Sequence, residues 1–100
     1  MTALRTRFDE LSASITVLAE RADDTTDLAR LLTIVREADR VRADCDRVIL
    51  ALSSAGEADA TRACLRTARL NALAIRHIAA RWRLATGIVL ARGGATTVSS

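Results

Sequence analysis

The chain is 100 residues long, half of them hydrophobic, with a formal net charge of +3. That length supports one domain with a modest core, and the apolar content excludes a disordered tail. All 15 basic residues are arginine, proline is absent, and only Phe8 and Trp82 are aromatic. Lysine-dependent Schiff-base and phosphate chemistry is therefore excluded, and a core of leucine, isoleucine, valine and alanine suits close-packed helices better than a sheet.

Residues 3–22 read as the first helix. Leu4, Phe8, Leu11, Ile15, Leu18 and Ala22 alternate at steps of four and three, the spacing that lines one helical face. Thr2 is placed to cap it, and Arg5 and Asp9 stand one turn apart. The run from Asp23 to Asp27 is the first break. Asp24 or Thr25 is the expected cap of the next helix, with Asp27 in its first turn.

Residues 27–55 read as the second helix, with a seam of Leu31, Ile34, Ala38, Val41, Cys45, Val48, Leu52 and Ala55. Its outer face alternates in sign, and Glu37–Arg40, Asp39–Arg42 and Asp44–Arg47 fall three residues apart. The second break is Ser53-Ser54-Ala55-Gly56, where Gly56 suits a left-handed residue and Ser54 with Glu57 fits a capping box.

Residues 57–92 read as one long helix that the others cover. Leu65, Ala68, Ala72, Ile75, Ala79, Trp82 and Val89 form its expected seam, widened by Leu70, His77 and Ile88. Opposite stands a cationic line of Arg62, Arg69, Arg76 and Arg83, with Arg66 at its edge. Residues 57–100 hold seven arginines against two acids, so this is the basic part of the chain. Gly93 and Gly94 are the expected stop, followed by a flexible tail.

The expected fold is all-α: an elongated antiparallel three-helix bundle over residues 1–92, with residues 93–100 as tail. A helix of 30 to 35 residues spans roughly 45–50 Å. That is too long to hide in a globule, and its apolar sector is wider than two neighbours cover. Assembly into a dimeric bundle, or with another helical chain, is the expectation.

Cys45, Cys64 and His77 are the soft ligand candidates. Cys64 and His77 are thirteen residues apart on one helix, about 20 Å in rise, and cannot share a metal. The cysteines read as small buried thiols and His77 as a residue bordering the apolar set. No catalytic group, metal or cofactor is expected. Charges at Arg5, Arg7, Asp9 and Glu10 break any apolar leader, and no uncharged stretch is long enough for a bilayer. The expected compartment is the cytoplasm, with no membrane partner.

The primary functional expectation is a non-enzymatic helical interaction module. It binds itself or another helical protein through Leu65, Ala72, Ile75, Ile78, Trp82 and Val89. The alternative is a nucleic-acid-binding regulator using Arg62, Arg66, Arg69, Arg76 and Arg83. A third reading is a helical enzyme holding a small carboxylate with buried arginines. The exposure of Arg69 and Arg76 separates the third from the others.

Overall fold

Three amphipathic segments without proline produce three helices. The computed structural model describes the backbone of residues 2–99 and the side chains of residues 3–93. Helix α1 is Thr2–Asp23, α2 is Leu28–Ser54 and α3 is Ala58–Ser99, and every pair is in contact. Asn71 of α3 reaches Ser12 of α1, and Arg81 reaches Ala22, so α1 and α3 run in the same direction and α2 runs against both. The described residues contain no strand. The side chain of Thr2, expected as a cap, lies outside the described residues.

The molecule is a rod of 64 × 18 × 16 Å with a radius of gyration of 17.5 Å. A compact domain of this length would have about 13 Å. Forty-two helical residues rise about 63 Å, so α3 alone sets the length of the rod. The 27 residues of α2 reach about 40 Å, and α3 outruns it by roughly 20 Å. Helix α3 also continues past Gly93 and Gly94, where a stop was expected. Gly93 keeps helical backbone and Gly56 is the glycine with positive φ. A helical glycine costs about 1 kcal/mol relative to alanine, which does not by itself end a helix.

The turns follow from their residues. Gly56 has φ +76°, left-handed, as its place after a helix requires. Its N–H donates to the Ser53 carbonyl and that of Glu57 to the Leu52 carbonyl, both at 3.0 Å. This is the paired closure of a Schellman end. The capping box does not form: Ser54 is the last residue of α2, and α3 begins at Ala58 after Glu57. At the other turn Asp27 itself takes the cap position, with φ −72° and ψ 117°, and its N–H donates to Thr25 Oγ1 at 3.1 Å. Thr25 thus shapes the turn that leads to the cap, and the Asp27 carboxylate sits near the positive end of the α2 dipole.

The core holds two clusters along the rod. The first is Phe8, Leu11, Ile15, Cys45, Val48, Leu52 and Cys64; the second is Leu18, Ala22, Leu31, Ile34, Ala38 and Ile78. The half-buried Val41 and Ile75 touch both. The seams of α1 and α2 fall where the periodicity predicts, except that Ala55 closes α2 as an exposed C-cap. Fully buried leucine, isoleucine or phenylalanine side chains stabilise by roughly 1.5–3 kcal/mol each.

Helix α3 departs from the expected seam. Its buried residues are Cys64 and Ile78, flanked by the packed Ala60, Ala74, Ile75, Trp82 and Ala85. At 3.6 residues per turn this face is rotated roughly 110° from the line through Leu65 and Ala72. The inward face is built largely from small residues, which allow close helix approach. The large leucines of α3 point outward.

Candidate interaction face of the third helix

Among the described residues, seven of the nine exposed large hydrophobic side chains belong to α3: Leu65, Leu70, Leu73, Leu84, Ile88, Val89 and Leu90. Leu70 is 67 % exposed, Leu73 59 % and Leu84 58 %. Single exposed leucines are ordinary, but an ordered row of them is not. Leu70, Leu73, His77, Ala80, Leu84, Ile88 and Ala91 stand at steps of three and four, and all are exposed. That is a helical seam whose apolar side chains stay exposed to solvent. It was partly legible through Leu70, His77 and Ile88; Leu73, Ala80 and Leu84 were missed because the alanine-rich face beside them gives the same period.

The arginine line runs along the edge of this seam. Arg62, Arg66, Arg69, Arg76 and Arg83 are exposed. Arg62 pairs with Asp59 one turn earlier, a surface contact of small energy. Among the described residues Arg66, Arg69, Arg76 and Arg83 enter no ion pair. The rod buries no charged side chain among the described residues. Of the charge pairs expected on α2, Asp44–Arg47 closes at 2.5 Å.

The expected interface residues separate into groups. Ile78 is buried against α1 and α2, and Ile75 packs on both clusters. Ala72 and Trp82 are half-buried, whereas Leu65 and Val89 are exposed. Trp82 lies against the second cluster, its Nε1–H enclosed and without a hydrogen-bond partner.

His77 has the carboxylate that the α3 sequence alone does not offer. Asp23, the last residue of α1, accepts a hydrogen bond from His77 Nε2 at 2.6 Å. Arg81, one turn along, donates to the carbonyls of Ala22 and Thr25 at 3.4 Å and stands 3.8 Å from the same carboxylate. A cation at the α1 C-terminus satisfies carbonyls that the helix leaves open and complements its dipole. With the Asn71–Ser12 hydrogen bond at 3.0 Å, these contacts fix the rotation of α3 about its axis. They hold the leucine seam outward.

Cys45 and Cys64 are free, buried and members of one cluster. Burial raises both thiols above their ordinary value, and Asp46 and Asp44 add to the effect at Cys45. Protonated thiols are poor nucleophiles and poor metal ligands. Among the described residues no three histidine, cysteine, aspartate or glutamate side chains gather as a metal site. Among them, too, no helix is long and apolar enough to cross a membrane.

The chain matches no family model, no curated protein and no solved structure. The reading of its function rests on this face alone.

Proposed function

We propose that the protein is a non-enzymatic helical interaction module whose working surface is the outer face of α3. One observation carries the reading: α3 faces its own core with alanines, Cys64, Ile75, Ile78 and Trp82 and leaves its leucines exposed, three of them in a seam at helical spacing. A fold serving only its own stability would bury Leu70, Leu73 and Leu84. Covering such a side chain is worth roughly 1.5–3 kcal/mol, and a second helix laid along the seam covers several at once. Exposed Arg69 and Arg76 argue against a pocket of buried arginines for a small carboxylate.

The test replaces Leu70, Leu73 and Leu84 together with glutamine. Helicity and melting temperature are expected to hold, since all three are exposed. Association is expected to fail, read as mass by light scattering for self-assembly and as titration against helical peptides for a separate partner. If the wild type is monomeric and binds no helical peptide, the reading is wrong.

A further inference from the structure

We propose that the partner of this face is an acidic amphipathic helix of another protein. It would lie along residues 70–91 with its carboxylates against Arg69, Arg76 and Arg83. This rests on the interaction reading above and adds the chemistry of the partner.

The argument starts from the flanks of the seam. In a two-helix coil, the residues beside the apolar positions face one another across the joint and decide which helices pair. Arg69, Arg76 and Arg83 each stand one residue before a seam position, namely Leu70, His77 and Leu84. All are exposed. Residues 60–99 contain no aspartate or glutamate. Two copies of α3 joined antiparallel along the seam would set arginine against arginine. Joined parallel, Arg76 would meet Arg81 of the other copy, while Arg62 and Arg69 would meet Thr67 and Ala74. Neither arrangement supplies a counter-charge, and like charges across such a joint destabilise it. The carboxylates must come from a different helix, and α1 and α2 of a second copy already bury their apolar seams in their own core, so that helix belongs to another protein.

The leucines decide between an acidic helix and other anionic surfaces. A nucleic acid backbone would use the arginines and leave Leu70, Leu73 and Leu84 in water. A bilayer favours a broad, unbroken apolar face, whereas this seam is bordered along its length by the exposed Arg69, Arg76 and Arg83. A helix carrying leucines in the middle and carboxylates at the edge answers both features at once.

The experiment uses the full chain and two synthetic four-heptad peptides with leucine at the apolar positions. One carries glutamate at the flanking positions, the other lysine. Uniform heptads let either slide into register, and its own like charges keep each from pairing with itself at neutral pH. Binding is read by anisotropy of a labelled peptide at low and high salt.

The glutamate peptide is expected to bind and to weaken with salt. Exchanging attraction for repulsion at three arginines, at a factor of about two each way, separates the peptides by on the order of a hundredfold. Arg69→Gln with Arg76→Gln should shrink that preference about tenfold. Leu73→Asp should abolish binding, with Leu73→Gln as the milder variant and circular dichroism as the check on folding.

Several results overturn the proposal. If the lysine peptide binds equally well, or if the chain forms a dimer that Leu73→Asp dissociates, the partner chemistry is wrong while the interaction reading stands. If vesicles rich in phosphatidylglycerol, or duplex DNA, bind and the glutamate peptide does not, the surface belongs to a membrane or a nucleic acid. If neither peptide binds and the chain is monomeric, both readings fail.

Discussion

Ile78 and Leu73 are five residues apart on α3 and predict opposite responses to the same truncation. Ile78 is 1 % exposed inside the second core cluster, and Leu73 is 59 % exposed. Ile78→Ala removes three carbons, about 2.4 kcal/mol at 0.8 per methylene, and the cavity left between α1, α2 and α3 adds to that. A loss of about 3–4 kcal/mol is expected, a large part of the roughly 5–15 kcal/mol that holds a domain of this size. The melting temperature should fall by about 12–30 °C. Leu73→Ala should stay within about 0.5 kcal/mol, since most of the side chain is already in solvent and alanine is the better helix former. Urea titrations followed by helical circular dichroism give both values. If Leu73→Ala costs as much as Ile78→Ala at low protein concentration, α3 is rotated from the position described. The core would then lie nearer the line through Leu70, Leu73 and Leu84.

Two further predictions concern the core thiols and the hairpin turn. Cys45 and Cys64, both raised by burial, should react slowly with a thiol reagent in the native state and fast in denaturant; rapid native labelling would contradict their placement. Because the folded state favours the protonated thiols, their contribution is fully present below the ordinary value of 9.0 and is lost as pH rises past it. A urea midpoint that does not fall in that alkaline range would refute the shift. Gly56→Ala should lower stability by about 1–2 kcal/mol, since open space around the position leaves only the cost of a left-handed alanine; a neutral result would show that the turn rearranges.

The seams of α1 and α2 were legible because each carries one apolar stripe against a polar remainder. Phe8, Leu11, Ile15 and Leu18 have no rival on α1, so spacing and burial agree. Helix α3 has apolar residues around most of its circumference, and periodicity alone does not choose which sector turns inward. The choice lies in contacts between distant residues: Ser12 with Asn71, Asp23 with His77, and Ala22 and Thr25 with Arg81. No local pattern reports those. Size misled as well, because packing close to α1 and α2 favoured Ala60, Cys64 and Ala74 over neighbouring leucines. The exposure of the arginine line was legible from its seven-residue repeat, and its position along the edge of the leucine seam followed only once the rotation of α3 was known.

Among the described residues the two core clusters share Val41 and Ile75, both half-buried. Where the clusters meet, the interior is filled by these half-buried aliphatic side chains in place of fully buried ones, and that meeting point is the waist of the core. Local opening concentrates where few apolar contacts hold the structure together. The outward seam begins before Ile75 and continues well beyond it. Anything laid along that seam bridges the waist from outside and works as a splint, stiffening the joint between the two halves without touching the core of either.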